Sequence, residues 1–164
     1  MQEPDKAPTY TTLQTAAKEN NVFVIGGSIA EKEGDKIYNT CLVFSNEGKL
    51  LGKFRKLHLF DIDIPGRMTY KESDTFTPGD QVTLIEIEGI TFGIGICYDI
   101  RFPELALIMR QSGADVLVYP SQFSMTTGEF HWDTLTRYRA LDTQVRHPII
   151  ANYLSEFIGL SSGL

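Results

Sequence analysis

The segment Gly95-Ile96-Cys97-Tyr98-Asp99-Ile100-Arg101-Phe102-Pro103-Glu104 constrains this chain more than any other. Before it, Ile90 to Ile96 reads as an apolar, glycine-punctuated strand. After it, Phe102 to Gln111 carries Leu105, Ile108 and Met109 on one helical face, with Gly113 just past the end. Ala114 to Tyr119 is a second apolar strand, closed by Pro120, and His131 to Val145 is a second helix with Leu135, Tyr138 and Leu141 along one side. That order of strand, helix, strand and helix predicts an α/β fold with a mixed β-sheet covered by helices.

The upstream half supplies more strands. Thr9 to Asn20 reads as a helix with Leu13, Ala16 and Ala17 on one face and Thr11 or Thr12 as its cap. Val22 to Ile25 is a buried strand stopped by Gly26-Gly27, and Glu31 to Asp35 is a polar turn. Strands follow at Ile37–Phe44, Leu50–Phe54 and Val82–Glu88. Asp61 to Gly79 reads as irregular, and a loop that long inside a domain is often functional. From Arg146 the character changes: Ile149-Ile150-Ala151 suggests a short strand, and Gly159 to Leu164 a frayed tail.

Composition narrows the function classes. The chain has 164 residues, 42% hydrophobic and 22% charged, which suits one domain, or a large piece of one, with a packed core. A net charge of −6 without any Lys/Arg run argues against nucleic acid. The longest apolar runs are strand-length, so no membrane span is expected. The start, Met1-Gln2-Glu3-Pro4-Asp5-Lys6, has no charged-then-apolar signal pattern. Cys41 and Cys97 stand at unrelated positions and are expected as reduced thiols in a cytoplasmic compartment. Metal-ligand spacings are absent, and Gly93-x-Gly95 falls inside a strand rather than at a helix start, so no metal and no nucleotide cofactor is expected.

Most free cysteines are buried and behave as small hydrophobes. Cys41, mid-strand among Thr40, Leu42 and Val43, fits that role. Cys97 differs because it ends a strand just where a helix begins, beside the outward-facing backbone N–H of Tyr98. Those are the parts of a nucleophile and an oxyanion hole. Lys56, within Arg55-Lys56-Leu57-His58-Leu59-Phe60-Asp61, is a charge followed by chain heading inward. Beside a thiol, its ammonium would favour the thiolate and stabilise an oxyanion. Candidate bases are Asp61, Asp63, Glu72, Asp99 and Glu104. Asp99 and Glu104 flank the helix start, where a cap or an Arg101 pair is the commoner use. Glu72 lies in the long loop, and His58 and His131 are alternative thiol partners.

These residues resemble the nitrilase (carbon–nitrogen hydrolase) superfamily, most closely its Nit branch of ω-amidase-like enzymes. The resemblance runs from about residue 9 to 145. It is carried by Arg55 to Gly66, Glu72-Ser73, Gly93 to Leu105, and Thr127-Gly128 through His131-Trp132 to Arg137, Arg139-Ala140, Asp142 and Gln144. It implies a four-layer αββα sandwich, Cys97 as nucleophile, Lys56 as the family's lysine and Glu72 as the glutamate that positions it. The oxyanion would be held by Lys56 and the Tyr98 N–H. The implied reaction is hydrolysis of a small amide such as α-ketoglutaramate to the acid and ammonia, with no organic cofactor or metal. A homodimer is implied through Phe102–Gln111 and His131–Val145. The chain departs from the family twice. The upstream strand bearing the base glutamate has no counterpart, and none of Glu3, Glu19, Glu31 and Glu33 is assigned that role. Residues 146–164 also diverge. Residues 1–164 are therefore expected to be the central part of the domain and nearly inactive as an enzyme; a non-catalytic scaffold for binding or dimerisation is the alternative.

Overall fold

Pro8 opens the first helix, α1 (Pro8–Asn20), at a position where a missing N–H leaves nothing unsatisfied. The cap is Ala7, without a side-chain bond; the hydroxyl of Thr12 donates instead to the Pro8 carbonyl. In the computed structural model, which describes residues 7–66, 68–123 and 125–149, three antiparallel strands follow: β1 (Val24–Glu33), β2 (Lys36–Phe44) and β3 (Leu50–Arg55). Gly26-Gly27 does not end β1. The register shifts between Ile25 and Ser28, so the two glycines bulge opposite Leu42. A side chain at Gly26 would collide with Leu13 of α1, so glycine there lets helix and sheet approach closely.

The segment expected to be irregular contains a hairpin. β4 (Asp61–Ile64) and β5 (Met68–Lys71) pair antiparallel about Pro65-Gly66, and Glu72–Asp74 form one 3-10 turn. A second, mixed sheet contains β6 (Thr83–Ile87), β7 (Ile90–Ile94), β8 (Val116–Val118) and β9 (Arg146–Ile149). β6 and β7 are antiparallel, while β7, β8 and β9 run parallel. Two helices complete the described chain: α2 (Pro103–Gln111) and α3 (Met125–Thr143). The second starts six residues before the expected His131, running through Gly128. Ile150 and Ala151, the rest of the expected last strand, and the tail after them lie outside the described residues.

Strand alternation builds the layers. In β2, Leu42 and Phe44 face α1 with Ala17, Tyr10 and Leu13. Cys41 and Val43 face the opposite way and join Phe54 against Ile85, Ile87, Ile94, Val116 and Val118 of the second sheet. Leu117 and Tyr119, pointing away from that interface, meet Leu105, Ala106 and Met109 of α2. The result is helix, sheet, sheet, helix, the αββα order expected. Among the described residues, no helix is long and apolar enough to cross a membrane.

Glu31 breaks the expectation of a polar turn. It is 1% exposed, on the same face of the first sheet as Leu42. Its carboxylate accepts hydrogen bonds from Arg55, Thr40 (2.6 Å) and Lys53, and Arg55 also reaches Glu33. Burial pushes the Glu31 carboxyl up, but the bonds from Arg55, Lys53 and Thr40 outweigh it and hold it down at about 2. Because the folded value is depressed, this stabilisation is complete above about 4.5 and is lost as pH falls towards 2. Urea unfolding between pH 5 and pH 2.5 should show stability declining steeply in the unaltered chain and more shallowly in Glu31→Gln. Equal slopes would contradict this account.

Candidate active site

Beyond β7 the chain stays pinned to the end of β8. The Gly95 N–H donates to the Val118 carbonyl and the Cys97 N–H to that of Pro120, both at 2.9 Å. Then it turns abruptly. Cys97 has a φ of +46°, a left-handed conformation that costs a residue with a side chain about 1–2 kcal/mol. Such strain concentrates at functional positions. A five-residue 3-10 turn, Cys97–Arg101, separates the cysteine from α2, which starts at Pro103 rather than Phe102. In this turn the Asp99 N–H donates to the Ile96 carbonyl. Among the described residues, no acceptor takes the Tyr98 N–H. Gly93 and Gly95 have a packing reason: side chains there would collide with Met109 and with the Tyr119 ring.

The two thiols differ in burial. Cys41 is fully buried and donates to the Gly26 carbonyl, and burial pushes it up to about 12. Cys97 is partly exposed, and its sulfur lies 3.8 Å from the Gln122 carbonyl oxygen.

Lys56 follows β3 directly. Its N–H donates to the Asn39 carbonyl and its carbonyl accepts from Gly79, both at 2.8 Å. The side chain is 3% exposed, and Nζ donates to Glu72 Oε2 at 2.6 Å. Glu72 is also buried. Its Oε2 accepts the Phe60 N–H (2.7 Å), and its Oε1 accepts Asn39 Nδ2 (3.2 Å). Among the described residues, only one of the three ammonium protons of Lys56 has an acceptor. Asn39 belongs to none of the sequence motifs, although a polar residue in the inward register of an apolar strand, two before Cys41, is itself a signal.

Asp99 joins the two segments. Fully buried, it accepts the Ile96 N–H at Oδ2 (2.9 Å) and the His58 N–H at Oδ1 (2.9 Å), with His58 Nδ1 at 2.7 Å from Oδ1. Burial raises its carboxyl above the usual range, against those hydrogen bonds. Asp99 thus caps the strand end and does not pair with Arg101. Arg101 lies 3.1 Å from His131 Nδ1 and over the rings of Tyr98 and Phe123. His58 stacks on Phe102, ring centroids 3.6 Å apart. Both histidines therefore have partners other than the thiol. Leu57 and Cys97 pack against one apolar cluster between the sheets.

The remaining acids have other duties or stand elsewhere. Asp61 accepts from Ser73 and Asp63 from Thr69, both within the hairpin region. Glu104 is exposed in the first turn of α2. Glu19 on α1, Glu31 and Glu33 lie on the α1 side of the first sheet, whereas Cys97 packs on its other side. Glu3 is outside the described residues. No three His, Cys, Asp or Glu side chains converge on a metal-sized site among the described residues.

The carbon–nitrogen hydrolase family model matches residues 2–148. The chain is 54% identical to omega-amidase NIT2 of Bos taurus over 143 residues, 86% of this chain and 52% of that protein. Nit3 of Saccharomyces cerevisiae, a solved member of branch 10 of the nitrilase superfamily, superposes with a TM-score of 0.77 at 40% identity. That match covers 90% of this chain and 52% of that one. The NitFhit protein of C. elegans superposes with a TM-score of 0.82 at 32% identity, covering 90% and 37%. The chain spans about half the length of the curated relatives it matches.

Proposed function

The chain belongs to the carbon–nitrogen hydrolase family, and from that premise we propose that it carries the thiol half of an amidase site. Cys97 is the nucleophile, Lys56 and the Tyr98 N–H hold the oxyanion, and Glu72 orients Lys56. The observation that carries this reading is the buried Lys56–Glu72 pair on a segment tied to the Cys97 turn. The thiolate of Cys97 adds to the amide carbonyl, and Lys56 and the Tyr98 N–H stabilise the oxyanion that forms. The C–N bond breaks, nitrogen leaves as ammonia after taking a proton, and a thioester remains. Water then adds to the thioester, and the carboxylic acid leaves as the thiol re-forms.

The substrate class we infer is that of the ω-amidases, α-keto acid amides such as α-ketoglutaramate; relatives at about 50% identity bear the name omega-amidase. A homodimer through α2 and α3 fits the exposed Leu107, Ile108, Phe130, Tyr138 and Leu141. Free thiols fit a reducing compartment such as the cytoplasm.

Both half-reactions need a base, and none of the described carboxylates is assigned that role. A missing general base typically costs 10²–10⁴-fold. A polypeptide of these 164 residues should therefore release ammonia from α-ketoglutaramate well below the usual range of about 1–10³ s⁻¹. Even so, it should do so measurably faster than its Cys97→Ser variant. Equal rates in the two would overturn the assignment of Cys97. Turnover within the usual range would overturn the need for a base outside these residues.

A further inference from the structure

We propose that Asp99 and His58 form a buried strut that sets the position of Lys56 relative to Cys97, making both positioning residues for the proposed reaction. The inference rests on the active-site reading above. Asp99 stands two residues after Cys97, and His58 two residues after Lys56. One carboxylate joins them: Oδ2 takes the N–H of Ile96, the residue before the nucleophile, while Oδ1 faces both the backbone N–H and Nδ1 of His58. A fully buried carboxylate with three such partners, in a protein interior, is a rigid fixture. The His58 ring stacks on Phe102, the residue that closes the nucleophile's turn. The lysine segment is thereby fastened to the cysteine turn at its backbone and at its ring.

The reason for such a fixture is the strain at Cys97. A left-handed cysteine relaxes unless its surroundings over-determine it. Oxyanion donors and thiol also lose effect steeply when misplaced by an ångström. The titratable and charged groups around Asp99 are His58, the buried Tyr119, which feels the Asp99 charge, and Arg139 of α3, which acts on Tyr119 and donates to the Ile100 carbonyl. Of these, His58 alone bonds the Asp99 side chain.

The test is iodoacetamide labelling of Cys97 across pH 5.5–9 in the full 164-residue chain, with Cys41 as internal control. His58→Ala keeps the backbone bond and removes the ring bond. In His58→Asn, the side-chain Nδ2 stands where Nδ1 was. Labelling of Cys97 at pH 7 should slow about 10-fold in His58→Ala, with its pH profile moved upward. His58→Asn should restore the rate to within about 3-fold. Circular dichroism melting checks that both variants fold. If His58→Ala fails to fold, the His58→Asn rate decides: near the unaltered rate supports the strut, and a 10-fold loss overturns it. Profiles that superpose in all three chains, or equal losses in both variants, also overturn it. If Cys97 in the unaltered chain labels no faster than Cys41, the active-site reading itself falls, and the strut with it.

Discussion

Glu72→Ala should lower the unfolding free energy by about 3–5 kcal/mol, the usual cost of leaving a buried charge without its partner. The substitution strands three donors together. The Lys56 ammonium, 3% exposed, loses its acceptor, and so do the Phe60 N–H and Asn39 Nδ2. A surface pair would cost less than about 1 kcal/mol; burial is what enlarges the effect here. Urea unfolding followed by circular dichroism measures it. The double variant Lys56→Met/Glu72→Gln removes both charges at similar volume and leaves a side-chain amide oxygen as acceptor, so it should recover most of the loss. Glu72→Ala within about 1 kcal/mol of the unaltered chain would mean that the pair is not buried as described.

Part of the proposed site can be read from the order of the amino acids alone. Cys97 shows itself by ending an apolar strand, Lys56 by the inward-going Leu57-His58-Leu59-Phe60 after it, and Glu72 through the family motif. The layered fold is legible wherever apolar residues recur with one clear period, as in α1 and α2. Features set by distant partners are not. β1 continues through Gly26-Gly27 because β2 lies alongside and Leu13 packs over the bulge. Glu31 is buried because Lys53 and Arg55 come to it from another strand. The β4–β5 hairpin does carry alternation and a Pro-Gly turn, but over only four residues a strand is too short to stand out from loop. Asp99 and His58 are 41 positions apart, and no local spacing links them.

The second large effect concerns the thiols. Burial raises Cys41 from 9.0 to about 12, about a thousandfold loss of thiolate at neutral pH, and its sulfur is also closed to reagent. Cys97 is partly exposed at the end of a strand, on a turn fastened to the segment that carries a buried ammonium. Iodoacetamide at pH 7 should therefore modify Cys97 more than about 10³ times faster than Cys41. In the charge-free Lys56→Met/Glu72→Gln chain, Cys97 should slow by about 10-fold or more while Cys41 stays as it was. This pair of rates, read by peptide mass spectrometry, decides whether ammonium 56 acts on sulfur 97. A fast Cys97 that slows in the doubly substituted chain supports that action; a Cys97 rate unchanged by the loss of Lys56, or no faster than Cys41, overturns it.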